Sequence, residues 1–146
     1  SRQEYYKKNK EKIKKINREY RLKNKKRYAE LARIWQKKKL KTDPNFKLRK
    51  NLRKRIWQEL RQKNKIYSTF KLVGCSVEEL WDHLEKQFKP GMTRDNYGLW
   101  HVDHIKPCIS FDLTKPQEQA KCFHYTNLQP LWAAENLSKG AKYEME

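Results

Sequence analysis

Two hydrophobic patterns divide this chain. Over the first forty residues apolar positions are sparse. Tyr6, Ile13, Ile16, Tyr20, Tyr28, Leu31 and Trp35 recur at helical spacings, and Lys, Arg and Asn fill almost everything between them. Glu4-Tyr5-Tyr6-Lys7-Lys8-Asn9-Lys10 aligns with Glu19-Tyr20-Arg21-Leu22-Lys23-Asn24-Lys25 at an offset of fifteen residues. That offset is close to four helical turns, so matched positions return to nearly the same side. The pattern predicts a basic helix over 2–39, continuous or broken, ordered when bound or packed. A solvated, disordered charge run is the alternative reading.

From Thr42 the apolar pattern thickens. Asp43 can cap a helix and Pro44 can occupy its first position. Phe46, Leu48, Leu52, Ile56, Trp57 and Leu60 then supply an apolar face to about residue 63, with Arg49, Lys50, Arg53, Lys54 and Arg55 on the other side. Ser76 and Glu79 have capping-box spacing and open a helix carrying Val77, Leu80, Trp81, Leu84 and Phe88, which Lys89-Pro90-Gly91 stops. His83 reads as a surface residue of that helix.

A turn at Asn96-Tyr97-Gly98 leads into a strand ending at Pro107. A short helix follows from Pro116 to Phe123, then a loop and second strand from Thr126 to Leu131. A helix from Trp132 to Lys139 is closed by Gly140. The expected fold is α+β: a basic arm at 1–41, a helical region at 42–97, and a strand–strand–helix domain at 98–146. Trp100, Trp132, Phe111, Phe123 and Leu131 are its expected core.

Charge sharpens this division. Residues 1–65 hold 27 of the 36 Lys and Arg and 6 of the 17 acids, whereas 66–146 are nearly neutral. A block of that density needs solvent or a polyanion. Release of condensed counterions makes nucleic acid the first candidate. Lys8, Lys10, Lys23, Lys25, Arg33, Lys37, Arg49, Arg53 and Arg55 are the expected contacts. An acidic membrane fits less well, because the arm lacks a broad apolar face and no segment reads as a membrane span. The three cysteines, Cys75, Cys108 and Cys122, form no Cys-x-x-Cys pair. They read as small buried apolar residues in a reducing compartment. A structural zinc is not expected.

The candidate chemistry lies in His101-Val102-Asp103-His104-Ile105-Lys106-Pro107, followed by Asn127 and Asn136. Asp103 offers a hard anionic oxygen and Asn136 a neutral one, which suits magnesium or manganese. His104 is the natural general base, with an unperturbed pKa near neutrality. His101 lies two residues before Asp103, on the same strand face, as an assisting or structural imidazole. Lys139 falls one turn after Asn136 and could touch phosphate.

The wording His-x-Asp-His-Ile-x-Pro, Tyr-Thr-Asn-Leu-Gln-Pro-Leu-Trp and Asn-Leu-x-Lys-Gly resembles the HNH, or ββα-metal, endonucleases. It is most similar to the free-standing and intron-encoded homing-type enzymes of bacteriophages and large viruses. The likeness is firmest from about Gly98 to Lys142 and weakest in the arm. It implies Asp103 and Asn136 as metal ligands. His104 is implied as the base, with Asn127 as the catalytic-site residue that shapes the loop and helps hold it. The implied reaction is magnesium-dependent cleavage of double-stranded DNA, leaving 5′-phosphate and 3′-hydroxyl ends, in the cytoplasm or nucleoid of an infected cell. Three alternatives stay open. They are a non-catalytic nucleic-acid-binding protein on this scaffold, a nuclease for RNA or branched DNA, and one module of a larger machine.

Overall fold

The computed structural model describes residues 1–140. The final residues, including the far end of the expected strand–strand–helix domain, lie outside the described part. Two compact units are present, Ser1–Thr42 and the residues from Asp43 onward.

The first unit is two helices, α1 (Arg2–Lys23) and α2 (Lys25–Thr42). The break comes at Asn24, whose side-chain Nδ2 donates to the Tyr20 carbonyl at 2.8 Å. Its repeat-mate Asn9 makes the same bond to Tyr5 at 2.9 Å inside an unbroken turn. The repeat is therefore structural as well as textual, and the amide bond alone does not end a helix. Tyr20 and Tyr28 meet edge to face across the break, 6.4 Å between ring centres. Neither helix buries a residue. The apolar stripe expected from the sequence stays largely exposed, with only Ile13 partly covered.

The second unit contains the core. Asp43 accepts from the Phe46 amide at 3.0 Å and opens α3 (Pro44–Glu59). Leu48, Leu52, Ile56 and Leu60 repeat every four residues and are all buried. Trp57 falls off that stripe and is 58% exposed, contrary to the face drawn from the sequence. The helix ends at Glu59 rather than near 63, because Arg61 to Lys65 offers no apolar residue to extend the buried face. A short helix, α4 (Thr69–Val73), follows and closes on Gly74 at φ 77°.

The Ser76–Glu79 capping box forms in both directions, at 3.2 and 2.7 Å, and starts α5 (Val77–Glu85). This helix ends three residues before Phe88. Bonds from Gln87 to Leu84 and from Phe88 to Glu85 tighten its last turn, and the Phe88 ring folds back onto Trp100, 4.9 Å away. His83 is not the surface residue expected. It is half-buried against Tyr125, with Nε2 3.0 Å from the Leu128 carbonyl.

Strand β1 (Trp100–His104) pairs antiparallel with β2 (Leu128–Trp132), with Asp103 opposite Gln129 and His104 opposite Leu128. The excursion between them contains a 3-10 turn (Cys108–Ser110) and α6 (Pro116–Phe123). Helix α7 (Ala133–Lys139) leaves the end of β2 directly, anchored by the Ala133 amide on the Leu99 carbonyl at 3.0 Å. The described residues are thus α+β, mostly helical, around one two-stranded sheet.

Trp81, Trp100 and Phe123 are fully enclosed, whereas Phe111, Leu131 and Trp132 are only partly buried. Helices α3 and α5 complete the core beneath the sheet, so the small strand–strand–helix element does not have to enclose its own. Of the three cysteines Cys122 is fully buried, and Cys75 and Cys108 are partly buried against the same apolar core. No helix among the described residues is long and apolar enough to cross a membrane.

Candidate functional site

Strand alternation sorts the chemistry of β1 onto two faces. His101 and Asp103 face α7, and His104 faces α6. On the α7 side the pairing runs rung by rung. Asn136 Nδ2 lies 3.1 Å from His101 Nδ1, and Lys139, one helical turn on, reaches Asp103 Oδ2 at 2.6 Å. The Lys139 ammonium also donates to the carbonyls of His104 and Ile105.

The other Asp103 oxygen, Oδ1, accepts from Arg55 at 3.0 Å, while Arg55 Nη1 donates to the Val102 carbonyl at 2.6 Å. Asp103 is 5% exposed, so two cations hold a buried carboxylate from both sides. Burial alone would raise its pKa. The hydrogen bonds and charges of Lys139 and Arg55 outweigh it and hold the carboxyl below its usual range.

The sequence pattern puts Arg55 on a phosphate-facing side, whereas in the structure it turns onto Asp103. Its place in the helix explains the difference. It is three residues after Leu52 and beside Ile56, which puts it on the edge of the buried stripe. That spacing was the available signal. Arg49 and Arg53 do stay exposed, with Arg49 stacked 5.8 Å from the Phe70 ring centre. In the arm, Lys8, Lys10, Lys23, Lys25, Arg33 and Lys37 are all exposed.

On the opposite face, the His104 ring packs against Phe123, 5.7 Å between centres, and Cys108 Sγ is 3.7 Å from each ring nitrogen. Cys122 Sγ is 3.4 Å from Cys108 Sγ. Cys108 is pushed down to about 5, first by its bond to the Cys122 thiol and then by His104, against a burial cost. Cys122 is displaced upward by the same partner and by burial. Although His104 is only 3% exposed, it lines a hollow of about 220 Å³ together with Asp103, Arg55, Glu59 and Cys108. A second hollow of about 180 Å³ contains His101 and Asn136, and Arg55 lines both.

Asn127 acts on the backbone. Its Oδ1 accepts from the Lys106 amide at 2.9 Å, and its Nδ2 donates to the Lys106 and Cys122 carbonyls at 3.0 and 2.9 Å. It ties the chain just after His104 to the end of α6. The structure shows no bond from Asn127 to the imidazole.

The sequence-named residues therefore divide in three. Asp103 meets Lys139, Asn136 meets His101, and Asn127 braces the turn that positions His104. The sequence reading missed Arg55 as a partner of Asp103, and it missed the grouping of His104, Cys108 and Cys122.

The chain is similar to two proteins of Acanthamoeba polyphaga mimivirus. It is 42% identical to "Uncharacterized protein L246" over 100 residues, covering 68% of this chain and 44% of that protein. It is 35% identical to "Uncharacterized protein L426" over 102 residues, covering 69% of this chain and 45% of that protein. The chain thus spans less than half the length of these relatives. No family model matches it, and neither does any solved structure.

Proposed function

We propose that this chain is a metal-dependent endonuclease of the HNH type. It would hydrolyse phosphodiester bonds in double-stranded DNA, with residues 1–42 as a basic grip. One observation carries the reading. A strand–strand–helix unit sets Asp103, His104 and Lys139 around the end of β1, with Asn136 one helical turn back on His101 and Asn127 bracing the turn behind them. Similarity to proteins of a large virus is consistent with the viral enzymes the sequence resembles.

The donor set suits a hard cation. Asp103 supplies carboxylate oxygen and Asn136 an amide oxygen. A buried carboxylate requires positive charge beside it, which Arg55 and Lys139 supply in this structure. Asp103 and Asn136 would hold magnesium or manganese, and Lys139 would yield its place on Oδ2. The ion would supply charge stabilisation for the phosphate and the departing oxygen. His104 would accept a proton from the attacking water that enters the hollow it shares with Asp103. Lys139, once released, and His101 are placed to neutralise phosphate. The exposed Lys and Arg of α1 and α2 would contact the DNA backbone, supplying affinity without sequence information.

The same cation pairs favour a second reading. With Asp103 already neutralised and Asn136 tied to His101, the chain would bind nucleic acid without cutting it. Labelled linear duplex, four-way junction, single-stranded DNA and RNA, each incubated with magnesium or EDTA, separate these readings. Magnesium-dependent cutting, fastest on duplex, supports the nuclease. Binding with no cutting of any substrate supports the second reading, and cutting confined to junctions or RNA moves the substrate class.

A further inference from the structure

We propose that His104, Cys108 and Cys122 form a binding site for one thiophilic divalent cation of the zinc class, separate from the hard-cation site at Asp103. The cluster comes from three places in the fold. His104 ends β1, Cys108 opens the turn after Pro107, and Cys122 sits near the end of α6. Neither cysteine belongs to a Cys-x-x-Cys pair, so their spacing along the chain carries no zinc-binding signature.

The spacing fits. One ligand atom from each of the three residues lies within 4.8 Å of the others. Cys108 Sγ is 3.4 Å from Cys122 Sγ and 3.7 Å from the His104 ring nitrogens. In tetrahedral zinc, bonds of roughly 2.3 Å to sulfur and 2.0–2.1 Å to nitrogen place neighbouring ligands about 3.6–3.8 Å apart. The ligand atoms are within reach of one ion, and the imidazole would turn to aim one nitrogen at it, since Cys108 Sγ is equidistant from both. The cysteines are free thiols. Phe123 packs on the imidazole and the core encloses Cys122, so the ligands are positioned by the fold.

A purely apolar role accounts for Cys122. Cys108, partly buried against the same core, also opens onto the hollow that contains Glu59, where an apolar role leaves its thiol unused. Of the three protein ligands His104 and Cys108 line that hollow, which leaves the fourth position for water or the Glu59 carboxylate. The two sites differ in chemistry: two sulfurs and a nitrogen on one face of β1 select a soft or borderline ion, and oxygen donors on the other face select a hard one.

A consequence follows for cleavage, and it rests on the nuclease reading. Neutral imidazole has one nitrogen lone pair. When His104 donates it to zinc, it cannot accept a proton from water. Zinc loading and general-base action are then mutually exclusive, and zinc would silence the enzyme even with magnesium in excess.

The test uses the full chain, reduced and freed of metal, titrated with cobalt(II) as the probe. Tetrahedral thiolate ligation gives a sulfur-to-metal charge-transfer band in the near ultraviolet and intense visible bands. The expected result is saturation at one cobalt per chain, displacement by zinc, and the same bands in Cys75→Ser. Cys108→Ser and Cys108→Ser/Cys122→Ser should lose the bands. Cys108 is less buried than Cys122, which makes the single variant the safer fold, and circular dichroism checks both. Absence of a thiolate band, or a band surviving in folded Cys108→Ser, overturns the site. For the consequence, cleavage is measured with and without one equivalent of zinc. Suppression in the unaltered chain and in Cys75→Ser, but not in Cys108→Ser, supports it; equal ratios in all three overturn it. If nothing cuts DNA, the cobalt spectra still decide the site, so the two failures are distinguishable.

Discussion

Residues 1–42 and the unit that begins at Asp43 are both rich in helix, yet only the second has an interior. The arm holds 18 Lys and Arg against 4 acids and buries no residue in either helix. Its internal order comes from local devices: the Ser1 cap, the repeated Asn-to-carbonyl bonds and spaced pairs such as Glu11–Lys14 at 2.9 Å. Each contributes only tenths of a kcal/mol to about 1 kcal/mol. The second unit is ordered by enclosure of Trp81, Trp100 and Phe123, and it places cations against Asp103 rather than leaving them in solvent. The difference teaches that positive charge has two uses here. In the arm it faces solvent; at the site it is committed to an internal carboxylate.

The strongest way to sharpen this contrast is Trp100→Ala. The ring is fully buried against Trp81, Tyr97 and Phe88, and Nε1 donates to Thr93 and Asn96. The expected loss is about 3–5 kcal/mol in the second unit. Circular dichroism under denaturant should lose that unit early while the arm's helical signal changes little. A single shared transition would contradict the division.

Deleting residues 1–42 comes next. We expect duplex affinity to fall roughly a hundredfold at low salt and the slope of log affinity against log salt to flatten by several units. The thermal midpoint of the remaining unit should barely move. Unchanged affinity would remove the arm's assigned role.

Asp103→Ala tests the committed charges. Arg55 and Lys139 would then face each other without the carboxylate, at an expected cost of about 2 kcal/mol, measured by urea unfolding. Adding Lys139→Ala should recover part of that loss, since the double variant no longer strands that ammonium. No recovery would mean that Lys139 is not held by Asp103. The smallest effect is Asp43→Ala, which removes the α3 cap and should cost about 1 kcal/mol, read as a shift in the urea midpoint.

Local chemistry carried much of this structure in the sequence. Asp43-Pro44, Ser76 with Glu79, Pro116 and Gly140 mark ends of elements whose causes lie within a turn of chain, and each is where the pattern put it. The order of strand, excursion, strand and helix was legible for the same reason. What required the fold was anything set by contact across it. Trp57 looks like core in composition, but helical phase turns it outward. His83 looks like surface, but β2 presents the Leu128 carbonyl to it. The spacing of Arg55 hinted at the Asp103 contact, yet only the packing of α3 under β1 makes it. Cys108 and Cys122 are fourteen residues apart and meet because α6 folds back beside the end of β1. Asp103, His104, Asn127 and Asn136 stand out in the sequence by residue type and spacing, whereas their contacts do not. Lys139 stands on Asp103, and Asn136 stands on His101.

The central claim, that His104 and a hard metal ion beside Asp103 cut DNA, is tested most directly with supercoiled plasmid. Purified chain and His104→Ala are compared with magnesium and with EDTA. The account predicts nicking or linearisation by the unaltered chain with magnesium alone, and a rate lower by about 10²–10⁴-fold in the variant. Equal cutting by His104→Ala, or cutting that persists in EDTA, would contradict it.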